Sequence, residues 1–346
     1  MIGRVVAADE EGDRAMKDQI REPQTTIRQL KDPTFWLKCL ICLLGTASIA
    51  QAQAPQSYNS PEDAMKDLVA AAQAQDRGAI RRIFGADVKR LVSGDVVQEE
   101  AELNSFAKRA SEKAELLNES ATSATIIFGN EEWPFPVPLI KSGEQWSFDT
   151  TKGVDEILRR RIGRNELTAI ALCASYSVAQ WDYFLDGDWN NDGVQEFAQK
   201  LISSPGQKDG LYWPADISGG VSPFGPLADV VREQGYVARG ATNNVQPFHG
   251  YIVKLLKAQG PAAPGGAHSY VINGRMISGF ALVAYPSVYG QSGVMTFIVN
   301  QQGKVFQNNL GPNTVQLARA MTAYNPGAGW TPVNYQEALD TITAVK

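Results

Sequence analysis

The chain has 346 residues, 32 Lys and Arg against 37 Asp and Glu, and a net charge of −5. No Lys/Arg-rich run of the kind that holds nucleic acid occurs, so nucleic acid is excluded as the expected partner. Two of its three cysteines, Cys39 and Cys42, lie in the first 52 residues, which leaves Cys173 without a partner and the remaining chain without an internal disulfide.

The first element is a leader. Residues 39–50 form an apolar run that is shorter than the ~20 residues a membrane span needs and fits the core of a signal peptide. Arg21, Arg28, Lys31 and Lys38 precede it, and Ala50 and Ala52 form an A-x-A cleavage site, so Gln53 is the expected mature start. An uncleaved anchor is the alternative. The acidic opening at 8–14 suits no signal, which makes Met16 a candidate for the true start. The leader carries as many acidic as basic residues, so the net charge survives its removal. The expected setting is secreted or periplasmic, with no transmembrane span after cleavage. The roughly 290 residues that remain are enough for one or two hydrophobic cores.

Residues 57–150 read as a small α+β domain. Ser60 caps a helix with Pro61 at its first position and Glu62 and Asp63 in its first turn. Further helices are expected over Arg77–Phe84 and Glu99–Leu117. Strands follow at Thr125–Phe128, Val137–Lys141 and Gln145–Asp149, the last two joined by a hairpin at 142–144. Pro134, Pro136 and Pro138 suit an edge strand. Helices followed by an antiparallel sheet resemble the cystatin-like or NTF2-like plan, an architecture that argues nothing about chemistry.

Residues 154–346 read as a second α+β domain led by a long helix. Its expected apolar stripe is Leu167, Ile170, Ala174, Val178, Trp181 and Leu185, with a break at Gly163. Cys173 is expected buried and inert. Arg159, Arg160, Arg161 and Arg164 form a basic cluster that suits an anion or lipid headgroup, against a solvated helix face that pairs with the acidic first domain. Strands are expected at Tyr251–Leu256, Met276–Tyr285, Val294–Val299 and Val305–Gln307, with a turn at 301–303, and short helices at Val315–Thr322 and Tyr335–Ala344. A long helix leading into an antiparallel meander resembles the soluble part of pilins and pseudopilins, although here a whole domain precedes the helix.

Three segments carry a more specific resemblance: WPFPVPLIKSGEQWSFDT at 133–150, PFHGYIVKLLKAQGPAAPGGAHSYVINGRM at 247–276 and GFALVAYPSVYGQSGVMTFIVNQQGKVFQNNLGPNT at 279–314. On these the chain resembles the bacterial secreted family called domain of unknown function 2950, from about Ser57 onward. The resemblance implies a cell-envelope or secreted setting and brings no catalytic residues to map.

The sharpest local motif is the loop holding Asp186, Asp188, Asn190, Asp192, Gly193 and Glu196. Oxygen ligands at alternate positions followed by glycine suit a calcium loop, but Gln199 stands where an EF-hand needs its bidentate glutamate. Calcium is the cofactor expected there, against a solvated turn that caps the next segment. His249 and His268 are the only histidines, and no H-E-x-x-H, G-x-S-x-G or C-x-x-C pattern accompanies them. The glycine-rich stretch at 260–266 lacks the Lys and Ser/Thr of a phosphate loop and reads as a rigid connection. Trp189, Tyr212, Trp213, Phe224, Tyr236 and Trp330 are candidates for a sugar- or peptide-stacking surface.

Three functions follow as expectations. The first is a non-enzymatic binding or assembly module whose partner is an envelope protein or polymer. The second is a hydrolase of cell-wall or extracellular polymers using Asp209, Asp216 and Asp229, which would need carboxylates ~5–9.5 Å apart. The third is a small-ligand site in the sheet of the first domain beneath Trp133, Trp146 and Phe148.

Overall fold

The fold was analysed in a computed structural model, which describes residues 54–187, 192–214, 222–225 and 247–334. All of them belong to one compact unit, Gln53–Lys346. Its class is α+β: helices packed on antiparallel sheets.

Capping side chains start the first helices. Ser60 Oγ accepts from Asp63 N at 3.1 Å and opens α1 (Pro61–Gln73). Asp76 Oδ1 accepts from Gly78 N and Ala79 N at 2.8 and 3.0 Å and opens α2 (Arg77–Phe84). Gly85 leaves the helix with φ 72°, and a 3₁₀ turn follows over Ala86–Leu91. Asp95 opens α3 (Val96–Glu112) by accepting from Gln98 N at 3.0 Å.

The expected helix at Glu99–Leu117 is therefore shifted. It begins earlier, where Asp95 can cap it, and ends at Glu112. Lys113 is extended, and Ala114–Ser120 forms strand β1. Here strand pairing overrides helix propensity: Leu116 and Leu117 lie opposite Ile126 and Thr125 of β2 (Ser123–Phe128).

The first sheet runs β1-β2-β4-β5, with β3 (Trp133–Pro134) paired to β2 beside β4 (Leu139–Ser142) and β5 (Gln145–Phe148). Ala124, Ile126 and Phe128 alternate inward, as do Trp146 and Phe148. Phe135, from the proline-punctuated segment, is the hub of the core. Its ring lies 6.0 Å from Phe84, 5.4 Å from Phe106 and 5.5 Å from Phe128. Such pairs add ~0.5–1.5 kcal/mol each beyond area burial.

Asp149 caps α4 (Thr150–Asp186), accepting from Lys152 N at 3.2 Å. The helix runs through Gly163 without a break: one glycine costs an interior helix only ~1 kcal/mol, which the packing of a 37-residue helix outweighs. Its buried line agrees with the expected one at Ile170, with Leu167 packed beside it, and departs from it elsewhere. Val154, Leu158, Arg161, Asn165, Ala169, Cys173, Tyr176, Gln180 and Tyr183 recur at three- and four-residue steps and are all buried. Val178, Trp181 and Leu185 are exposed instead. Three polar residues in the true line, Arg161, Asn165 and Gln180, conceal it from an apolar count. Gln180 acts as a backbone surrogate: its amide exchanges two bonds of 2.9 Å with Ala198.

The second sheet runs β14-β13-β12-β11-β6, all antiparallel, from β6 (Tyr251–Leu256), β11 (Ala281–Pro286), β12 (Thr296–Asn300), β13 (Phe306–Asn308) and β14 (Thr331–Pro332). Helix α4 packs on β11 and β12, and α5 (Thr314–Ala320) packs on β11. Two small ladders flank the sheet: β7 (Ala258–Gln259) with β8 (His268–Ser269), and β9 (Val271–Ile272) with β10 (Arg275–Met276). The single strand expected at Met276–Tyr285 is thus split. Gly279 takes φ 134°, and a Cβ there would meet the Tyr270 ring at 2.8 Å, so the chain turns before β11 begins. The turn at Gln301–Gly303 joins β12 to β13 as expected, and the segment at 260–266 connects β7 to β8. The helix expected at Tyr335–Ala344 lies outside the described residues.

Gly153 sits where α4 meets the strand-bearing half of the first core. A Cβ there would lie 2.4 Å from Val137 Cγ2 and 2.7 Å from its Cα. Alanine normally gains up to about 1 kcal/mol over glycine inside a helix. Gly153→Ala is expected to reverse that sign and destabilise by about 1–3 kcal/mol, read as a lower urea midpoint.

Candidate functional site

Among the described residues, a buried polar constellation lies where α3, α4 and two loops of the second sheet meet. Asp95 does two jobs. Its Oδ1 caps α3, while Oδ2 accepts from the backbone N of Gly250 at 2.9 Å. Ser93 supports it: Ser93 Oγ accepts from Asp95 N at 3.2 Å and donates to Glu99 Oε1 at 3.0 Å. One turn along α3, Gln98 Nε2 donates to Asn165 Oδ1 of α4 at 2.7 Å. Asn165 Nδ2 donates in turn to Ser292 O at 2.9 Å. Ser287 Oγ donates to Ser93 O at 3.1 Å, so the loop between β11 and β12 returns to the start of the network.

The arginine cluster joins the same seam. Arg161, with a side chain only 4% exposed, reaches Glu102 Oε2 of α3 at 2.6 Å and also donates to Leu91 O. Arg164 Nη2 reaches Glu102 Oε1 at 3.2 Å. Arg159 and Arg160 pair with Glu156 on their own helix, and Arg159 above all holds that carboxyl below the usual range. Arg161 and Arg164 thus pair with the first domain, while Arg159 and Arg160 lie on an exposed face of their own helix.

His249 enters the seam on a strained backbone, with φ 44°. Burial pushes its imidazole below its usual value. Asp95 and Glu102 oppose that shift, and Arg164 reinforces it. His268 is elsewhere, with Nδ1 3.2 Å from Gly266 O and its ring beside Tyr270. The two histidines thus have separate sets of neighbours.

The acidic loop has a different organiser from the one its sequence suggests. Asp192 faces Arg275 of β10 with both carboxylate oxygens. Arg275 Nη1 lies 2.7 Å from Oδ1, and Nη2 reaches Oδ2. Arg275 is the main reason the Asp192 carboxyl is held below the usual range. Asp186 is exposed at the end of α4 and Glu196 is buried. Asp188 and Asn190 lie outside the described residues. Among the described residues, no three His, Cys, Asp or Glu gather as a metal-ligand set.

Of the other candidates, Asp209 accepts from Ser204 N at 2.7 Å and from Lys200 Nζ at 2.5 Å. Asp216 and Asp229 lie outside the described residues. Trp213 is buried, and Tyr212, Phe224 and Trp330 are half-buried, which leaves little ring face for stacking; Trp189 and Tyr236 are not described. Tyr58, Phe84 and Phe135 pack around Phe148, with ring centroids 5.0–6.5 Å from its own. Cys173 is fully buried, and burial pushes its thiol up to about 12, as an inert core thiol requires.

Sequence reasoning missed Ser93, Asp95, Gln98, Asn165 and Ser292. A usable signal existed for Asp95 alone, as an N-cap ahead of Val96. The rest are single polar letters whose partners are distant in sequence.

A family model described as "Protein of unknown function (DUF2950)" matches residues 55–333. The chain belongs to this family. The matched span takes in both sheets, α4 and the polar seam. No curated protein and no solved structure matches the chain. No helix among the described residues is long and apolar enough to cross a membrane.

The buried imidazole sets a pH dependence. The unfolded chain binds a proton at His249 near pH 6.5, while the folded chain resists it to lower pH. The stability this contributes is complete above about pH 6.5 and is lost as the pH falls through that value. The melting temperature is expected to fall on going from about pH 7.5 to about 5.5 and to fall less in His249→Asn, since asparagine tolerates the backbone at this position. Coincident pH profiles for the two proteins would remove His249 from the account.

Proposed function

We propose that the chain is an exported bacterial protein that acts as a non-enzymatic binding or assembly module of the cell envelope. The leader sequence and the family resemblance support the compartment. One structural observation supports the mode of action. The buried groups of the seam, Asp95, Gln98, Arg161 and Asn165, are bonded to one another, to the half-buried Glu102 or to backbone, whereas Val178 and Leu185 of α4 stay exposed. Polar groups committed to structure, with apolar side chains left exposed two or more turns further along α4, suit recognition better than turnover.

The test has two arms. Mass spectrometry of the natural product is expected to find Gln53 at the N-terminus and the protein outside the cytoplasm. Cross-linking in envelope extract is expected to capture a defined partner with the native chain and to lose it with the paired change Val178→Asp and Leu185→Asp. Both positions are exposed, so the variant should keep its stability within about 0.5 kcal/mol per site. An intact leader in the cytosol, or turnover of a substrate with no partner captured, overturns the reading.

Calcium at Asp186, Asp188, Asn190, Asp192 and Glu196 belongs to the same proposal as a stabilising ion, and Arg275 makes it testable. Calcium can take Asp192 only by displacing the guanidinium. Calcium at tenfold its Kd is expected to stabilise by about 1.4 kcal/mol, and to do so at lower concentration in Arg275→Ala. Melting curves indifferent to calcium and to chelator in both proteins leave the loop to the Asp192–Arg275 pair.

A further inference from the structure

The first sheet closes one of its two edges. At β5, Tyr58 N donates to Trp146 O and Trp146 N donates to Tyr58 O, each at 2.8 Å. At the other edge, β1 pairs with β2 and with no further strand among the described residues.

Two backbone bonds fix which groups β1 leaves open. Gly129 N donates to Lys113 O at 3.0 Å, so Lys113 turns its peptide groups toward β2, and Glu115 and Leu117 follow at the same parity. Phe135 N donates to Ile126 O at 2.8 Å, so Ile126, which lies opposite Leu116, turns away from β1. Both bonds give the same answer: Ala114, Leu116 and Asn118 point their N–H and C=O groups outward. The edge is in the open, since Glu115, Leu117, Asn118, Glu119 and Ser120 are all exposed, Leu117 by 55%. An exposed strand edge without proline is a template for another strand.

The charges on β1 select that strand. On the outer face, Lys113 Nζ lies 3.0 Å from Glu115 Oε2. Glu119 accepts from Ser123 Oγ and Thr125 Oγ1 at 3.1 and 2.8 Å and has no ion-pair partner among the described residues. Two copies of β1 can join antiparallel through their outward groups in a few registers. Centred on Glu115, the pairing sets Glu115 against Glu115. Centred on Leu117, it sets Glu115 against Glu119. Like charges directly opposite each other are destabilising. Centred on Leu116, it sets Glu115 against Leu117, Leu116 against Leu116, and Lys113 against Glu119 at both ends. This register keeps the acids apart and brings Glu119 a cation. The bulge between Asn118 and Ser120 falls just outside the span from Ala114 to Asn118 that it uses.

We propose that the protein forms a two-fold dimer in which β1 pairs antiparallel with β1 of a second copy, centred on Leu116. Ala114 of each copy then bonds Asn118 of the other, about six backbone hydrogen bonds cross the axis, and the two first sheets become one. The proposal is independent of the envelope function above.

Sedimentation velocity of the purified protein tests it, with a dimer expected at micromolar concentration. Asn118→Pro removes an N–H that points away from β2, and edge strands accept proline at such positions. It is expected to raise the dimer Kd about tenfold or more while circular dichroism stays unchanged. Lys113→Glu is expected to weaken the dimer, and Lys113→Glu combined with Glu119→Lys to restore it, because the exchange keeps opposite charges across the axis. Cysteines read the register. Glu115 of one copy and Leu117 of the other would form a non-hydrogen-bonded pair with Cα atoms ~4.5 Å apart, within disulfide reach. A mixture of Glu115→Cys and Leu117→Cys chains is expected to cross-link on oxidation, and neither chain alone; Cys173 is buried and does not compete. A protein that stays monomeric up to about 100 µM leaves the edge to some other chain and overturns the proposal. So does a dimer that Asn118→Pro leaves intact, or cross-linking that ignores the pairing.

Discussion

The structure depends on a polar seam. Two hydrophobic cores, one around Phe135 and one beneath the second sheet, are joined by Asp95, Gln98, Glu102, Arg161, Asn165 and the loop around Ser292. Hydrophobic burial stabilises each core but has no direction. The seam adds direction. Gln98 and Asn165 exchange amide bonds across α3 and α4, and Arg161 presents its planar fork to Glu102. Each bond fixes an orientation, and the cost of leaving any member unmet makes the network all-or-none.

Helix α4 carries this constraint along its length. Its first turns bury Val154 and Leu158 and pack Ile157 against the first core. Its middle supplies Arg161 and Asn165 to the seam. Its later turns bury Cys173, Tyr176 and Tyr183 against the second sheet. Glu166 extends the link by accepting from Val294 N and Met295 N at 2.9 and 3.0 Å, which anchors the approach to β12. The helix interior could not be an uninterrupted apolar stripe, because the middle third faces a polar junction.

That requirement explains what the sequence disclosed and what it hid. Caps are local, so Ser60 and Pro61 marked α1 correctly. Period-two burial is local, so Trp146 and Phe148 marked β5, and Gly303 marked the turn after β12. The facing of α4 was not local. Val178, Trp181 and Leu185 look like the continuation of a core stripe, yet Gln180 and Tyr183 hold the buried positions. Gln180 is accepted inside because Ala198, eighteen residues on, supplies its partner. Leu116 and Leu117 misled in the same way: their helical spacing was outweighed by pairing with β2.

The acidic loop shows the same limit at the level of a site. Alternating Asp and Asn with a following glycine is a ligand pattern when nothing else is near. Nothing in that stretch announces Arg275, which arrives on β10 because Gly274 and the β9–β10 ladder bring it there. A guanidinium offers two N–H groups in the plane of a carboxylate and satisfies its charge with fixed geometry. An ion must outdo that pairing and gather further oxygens as well. The partner that Asp192 holds in the structure is therefore Arg275, a group that lies outside the motif.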